Sequence, residues 1–133
     1  MSRKAKGMNA ERELIHLFWK SGWAPLRVAG SGAARTPCPD IIAGNGIRRV
    51  AVEAKSSKKK SVYIPIEEIR QLERFALLFG SEAWIGVRFN NEQWFFLKPV
   101  EIKVTEKNYS ISLGLAKTNG RTFEQLINKP KHL

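Results

Sequence analysis

The 133-residue sequence predicts an α/β fold, a mixed central β-sheet flanked by helices. Three observations carry the prediction. Two segments repeat apolar residues at helical spacing. Short runs of β-branched and aromatic residues lie between and after them. Gly44-Asn45-Gly46 is a hairpin signal joining two of those runs. The resulting order is helix, strand, hairpin, helix, two strands.

The first helix is expected from about Met8 to Ser21, with Leu14, Ile15 and Phe18 on one face, Asn9 as its cap and Gly22 as its stop. A short strand follows at Leu26 to Ala29, then a loop of small residues from Gly30 to Pro39. Ile41-Ile42-Ala43 and Arg49 to Lys55 are the hairpin strands, and Ser56 to Ser61 reads as a lysine-rich loop. Pro65 stands at the first turn of a second helix, Ile66 to Leu78, with Ile69, Leu72, Phe75 and Ala76 as its stripe and Gly80 as its stop. Strands are expected at Ala83 to Phe89 and Trp94 to Leu97, around a turn at Asn90-Asn91. Past Pro99 the pattern is weak, apart from a short helix at Phe123 to Ile127. No repeat or linker divides the chain, so residues 1–133 are expected to form one domain with flexible ends at 1–7 and 128–133.

Lys and Arg total 23 against 12 Asp and Glu, a net charge of +11. A small chain this basic usually meets a polyanion, most often nucleic acid. No apolar run reaches the roughly 18–20 residues of a membrane span, and the basic N-terminus lacks the apolar core of a signal peptide. The single Cys38 cannot form an internal disulfide, which fits a cytoplasmic protein. Composition excludes a membrane protein and a disulfide scaffold, but it does not show catalysis.

The chemistry lies in the hairpin. Strand alternation puts Val50, Val52 and Ala54 on one face and Ala51, Glu53 and Lys55 on the other. Taken alone, Glu53 and Lys55 would be an ordinary edge ion pair. Asp40 opens the partner strand, so its carboxylate falls near Glu53 at the open end of the hairpin. Carboxylates on adjacent strands suit a hard cation such as Mg²⁺. Glu11 lies three, four and seven residues before Leu14, Ile15 and Phe18, on the apolar face, where a carboxylate is costly unless something meets it. Its plainer reading is a first-turn acid favourable to the helix dipole. Glu13 falls on another side and reads as a surface residue. This set suits phosphodiester hydrolysis: a metal at Asp40 and Glu53 would activate water, and Lys55 would orient that water or stabilise developing charge. His16 and His132 make no zinc pattern, and neither a phosphate loop nor a serine triad is visible.

Pro39-Asp40 followed by Glu53-Ala54-Lys55 resembles the PD-(D/E)xK nuclease signature. Four segments together resemble the archaeal Holliday junction resolvases across residues 4 to 97: Lys6-Gly7 leading to Ala10-Glu11-Arg12, Arg27 before Gly30-Ser31-Gly32, Pro39 to Ala43, and Val52 to Lys55. The resemblance implies a restriction-endonuclease-like fold and a homodimer that nicks opposing strands of a four-way DNA junction in recombination and repair. It implies Mg²⁺, with Mn²⁺ as a substitute, held by Asp40, Glu53, the Ala54 carbonyl and Glu11. Lys55 and Ser31 would join Glu11, Asp40 and Glu53 as catalytic residues. Arg12 and Arg27 would lie near the DNA, and the protein would be cytoplasmic and associated with the nucleoid. The basic Lys4 and Lys6 are further candidates for DNA contact, and Lys58, Lys59 and Lys60 either contact DNA or form a solvated loop. Residues Ala33 to Cys38 lengthen the loop before Asp40 relative to some members. Trp94-Phe95-Phe96-Leu97, apolar on both faces, suits either a dimer interface or a core strand. Two rival functions remain: a nuclease of the same fold acting on nicks, flaps or duplex, and a non-catalytic nucleic-acid-binding module. Substrate competition separates the first, and the three acids in a basic chain argue against the second.

Overall fold

The chain forms a five-stranded sheet sandwiched between helices and a smaller second sheet. The computed structural model describes residues 3–28 and 38–128, without the side chains of residues 3–8. The order is α1 (Arg3–Lys20), β1 (Ala24–Arg27), β2 (Ile41–Gly44), β3 (Arg49–Ser57), β4 (Ser61–Pro65), α2 (Ile66–Phe79), β5 (Glu82–Phe89) and β6 (Trp94–Leu97). A 3₁₀ turn (Pro99–Glu101), β7 (Lys103–Val104), β8 (Asn108–Ser112), α3 (Leu113–Asn119) and α4 (Phe123–Ile127) follow. The main sheet runs β1-β2-β3-β5-β6 and the second β4-β8-β7. Among the described residues only β3 and β5 pair in parallel, so the main sheet is mixed, as the sequence predicts.

Strand alternation divides the core into two layers. Val50, Val52, Trp84 and Phe96 face α1 and α4, where Leu14, Phe18 and Leu126 are fully buried. Ala51, Ile85, Val87 and Leu97 face α2 and the second sheet, meeting Ile69, Leu72, Ala76 and Ile111. Each large side chain so buried contributes roughly 1.5–3 kcal/mol relative to exposure. On the α1 face the side chains of β3 and β6 crowd β5 so closely that a Cβ on Gly86 would lie 2.9 Å from Phe96 Cε1 and 3.3 Å from Val52 Cγ1. The α2 stripe packs as expected, and the helix stops at Gly80, whose φ of 80° is the left-handed conformation open to glycine.

Several boundaries differ from the sequence reading. The first helix begins at Arg3 instead of Met8, so Asn9 lies inside it and not at its N-terminus. Arg3, Lys4, Ala5 and Lys6 favour helix, and the apolar stripe marked only the part that packs. β1 starts at Ala24, two residues early, because Pro25 pairs with Ala43 on an edge strand, where proline is tolerated. The loop expected at Ser56 to Ser61 shrinks to Lys58–Lys60: Ser56 and Ser57 still pair with Arg88 and Phe89, and β4 begins at Ser61. Trp94 to Leu97 is a core strand, with Trp94 and Phe96 in one layer and Phe95 and Leu97 in the other. Of the flexible ends expected, residues 1, 2 and 129–133 lie outside the described residues, while residues 3–7 belong to α1. Among the described residues no helix is long and apolar enough to cross a membrane.

Candidate active site

The site forms where β2 meets β3. Asp40 precedes β2 and is stitched into the sheet on both sides: its N–H donates to the Val52 carbonyl (3.0 Å) and its carbonyl accepts from Val28 N–H (2.8 Å). Its carboxylate replaces a rung of the ladder, Oδ2 accepting from Ala54 N–H at 2.8 Å. Ile41 pairs with Val52, so the register sets Asp40 beside Glu53. The two carboxyl groups interact directly, and Glu53 is pushed up from 4.5 to about 8. Burial is the largest cause, then the Asp40 charge; Lys55 pulls the other way, and Glu68 adds to the rise.

Lys55 lies two residues along the same strand face. Its Nζ is 3.6 Å from Glu53 Oε2 and 3.1 Å from Glu68 Oε2. Burial alone would lower its pKa, but Glu53 and then Glu68 outweigh it and hold the lysine above its ordinary range. Glu68 had no place in the sequence reading. The available signal was its position in the first turn of α2, directly before the buried Ile69.

The other expected residues are more dispersed. Glu11 is half-buried on α1 and accepts from Arg27 Nε on β1 at 2.9 Å. Among the described residues no group of three or more Asp, Glu, His or Cys gathers as a metal site, so Asp40 and Glu53 stand as a pair without Glu11. Arg12 is exposed, as are Lys58, Lys59 and Lys60 in the turn between β3 and β4. Ser31 lies outside the described residues, and so do the side chains of Lys4 and Lys6, whose backbones belong to α1. Glu13 is exposed, as expected, yet it is not idle: it accepts from Arg88 Nε at 3.0 Å and Trp94 Nε1 at 2.9 Å, fastening α1 to β5 and β6. Helical spacing could not show that link, because its partners lie 75 and 81 residues away.

A mixed sheet with an acidic pair on neighbouring strands and a lysine two residues past the second acid is the restriction-endonuclease-like class of nuclease folds. A family profile described as "Archaeal holliday junction resolvase (hjc)" matches residues 2–133, well beyond the 4 to 97 that the motifs span. The chain belongs to that family. The crossover junction endodeoxyribonuclease Hjc of Archaeoglobus fulgidus is 39% identical over 129 residues, covering 92% of this chain and 95% of the relative. The Methanocaldococcus jannaschii enzyme of the same name is 34% identical over 128 residues, covering 96% and 91%. The solved structure of A. fulgidus Hjc, described as a Holliday junction resolvase from an archaeal hyperthermophile, matches with a TM-score of 0.85 at 37% identity. That match covers 91% of this chain and 98% of the other.

Proposed function

We propose that this chain is a crossover junction endodeoxyribonuclease that resolves four-way DNA junctions by divalent-metal-dependent hydrolysis, one phosphodiester on each of two opposing strands. The carrying observation is the Asp40–Glu53 pair, in which burial and the adjoining charge push Glu53 up to about 8. Two neighbouring carboxylates, one of which burial and then the other's charge keep protonated at neutral pH, are a fitting donor set for a hard cation. Mg²⁺ suits these oxygen ligands, with Mn²⁺ able to replace it, and when bound it would polarise the scissile phosphate and acidify a water.

The chain's own groups would do the rest. Ala54 turns its N–H toward Asp40, and in an extended strand the carbonyl of a residue leaves by the same edge, which supports Ala54 as the backbone ligand. Lys55 would donate to the attacking water or to a phosphoryl oxygen as charge builds there. Glu11 would assist as a third carboxylate, reached once a DNA phosphate competes for its partner Arg27. Ser31 completes the catalytic set, and Lys4, Lys6, Arg12, Arg27 and Lys58 to Lys60 would contact phosphates.

A four-way junction offers strands related by a two-fold axis, which suits a homodimer. Leu77, Leu78 and Phe79 at the end of α2, with Leu26 of β1, are exposed apolar side chains that a second copy would cover. We place the protein in the cytoplasm with the nucleoid. The deciding experiment cleaves a labelled four-way junction beside linear duplex of the same sequence, with Mg²⁺ or with EDTA. Paired nicks that vanish with EDTA and resist duplex competitor are expected. Equal cutting of both substrates would remove the junction claim, and binding without cutting under any metal would remove catalysis.

A further inference from the structure

Lys55 has a carboxylate partner outside the acidic pair. Glu68 Oε2, on the third residue of α2, is shut off from solvent and stands 3.1 Å from Lys55 Nζ, closer than Glu53 Oε2 at 3.6 Å. A desolvated carboxylate oxygen is costly unless a cation or donor meets it. The cation that meets this one is Lys55. An acid in a first helical turn is usually read as complementing the helix dipole. Glu67, exposed in the same turn, supplies that benefit equally well. Among the described residues no ion pair joins Glu67 to Lys55; its neighbour Glu68 alone of the two makes that contact.

A lysine side chain is a point charge on a flexible four-carbon stem, with considerable rotamer freedom. On β3 its ammonium is bracketed by Glu53 from its own strand and Glu68 from the opposing helix. A cation on Glu53 would weaken the first hold and leave the second. We propose that Glu68 is a positioning residue, holding the Lys55 ammonium beside the Asp40–Glu53 pair for phosphodiester cleavage. The idea rests on the function proposed above. It has a signature that a role in DNA binding lacks: removing a negative charge from a polyanion-binding surface leaves DNA affinity unchanged or higher, while loss of lysine alignment slows cleavage.

The test compares Glu68→Gln, Glu68→Asp and Glu67→Gln with the wild type in three measurements. These are single-turnover cleavage of the four-way junction at saturating protein, junction affinity without divalent metal, and acylation of Lys55 relative to Lys58–Lys60 in metal-free, DNA-free protein. Glu68→Gln should cut roughly 10- to 100-fold more slowly, the scale expected for a misplaced catalytic group. Its junction affinity should not fall, and Lys55 should acylate several-fold faster than in the wild type. Glu68→Asp should recover part of the rate, and Glu67→Gln should match the wild type throughout. Wild-type cleavage by Glu68→Gln, unchanged Lys55 labelling, or a rate loss matched by an equal loss of affinity would each overturn the proposal. If the wild type cuts no DNA, the proposed function fails by itself, and the labelling contrast still decides whether Glu68 holds Lys55.

Discussion

Adding Mg²⁺ to the metal-free protein at neutral pH should expel a proton. With burial and Asp40 lifting Glu53 to about 8, roughly nine molecules in ten carry it protonated at pH 7. A carboxylate must be ionised to ligate a cation. Binding should therefore release about 0.9 proton per site at pH 7 and about 0.1 at pH 9. Raising the group from 4.5 to about 8 corresponds to roughly 5 kcal/mol between its two protonation states, so cation affinity should climb steeply across this interval. Stability follows the same imbalance. Between pH 4.5 and about 8 the unfolded carboxyl is ionised while the folded one keeps its proton. The folded state then binds more protons, so the stability of the metal-free protein falls as pH rises through that window. The contribution is whole below the lower value and lost above the upper one. Calorimetric titration in two buffers of different ionisation enthalpy counts the protons, and urea unfolding at pH 5 and pH 8 reads the stability. Asp40→Asn removes the second cause but leaves burial, the first, so Glu53 should come down yet stay above the usual carboxylate range. A proton count near zero at pH 7, or metal-free stability that rises between pH 5 and pH 8 in step with Glu53 ionisation, would refute the reasoning.

Three other outcomes are expected. Asp40→Asn should reduce junction cleavage by at least about 100-fold, because it weakens the cation ligand while an amide oxygen can still accept from Ala54; cleavage near the wild-type rate would sink the metal-site reading. Gly86→Ala should destabilise the protein by about 1–3 kcal/mol, since the new methyl overlaps Phe96 and presses on Val52 next to Glu53, and urea unfolding measures it. Replacing Lys58, Lys59 and Lys60 by Gln should flatten the salt dependence of junction binding by up to about three phosphate contacts without slowing cleavage at saturation; an unchanged slope would mean a merely solvated turn.

Legibility from sequence followed the range of the forces involved. Asp40, Glu53 and Lys55 were readable because a hairpin turn and strand alternation are local rules, and together they fix which side chains share a face. The α2 stripe and Phe123–Ile127 were readable for the same reason. The pairing of β4 with β8 was hidden, since its partners are some fifty residues apart and Ser61, Ser110 and Ser112 carry no strong apolar alternation. Spacing put Glu11 on the apolar face, where it is half-buried, but periodicity gives a face and not a neighbour, and the neighbour is Arg27. Glu13 and Glu68 failed for a related reason: each lies at the border of its helix stripe, where 3.6-residue spacing cannot tell a solvated acid from one held by a distant strand.

The ring of Phe18 in α1 sits 5.0 Å from that of Phe123 in α4, edge to face, with Leu126 fully buried beside them. That contact has a consequence in time. The layer bearing Glu11 and Glu13 joins residues more than a hundred positions apart, and distant closures form late. β3, α2 and β5 are close in sequence, and the acidic pair and its lysine lie just before β2 and on β3. A chain emerging from the ribosome would thus acquire its charged centre while the first helix still waited for α4. Pulse-labelled hydrogen exchange during refolding should protect β3 and β5 before α1. Simultaneous protection would mean that the two layers assemble in one cooperative step.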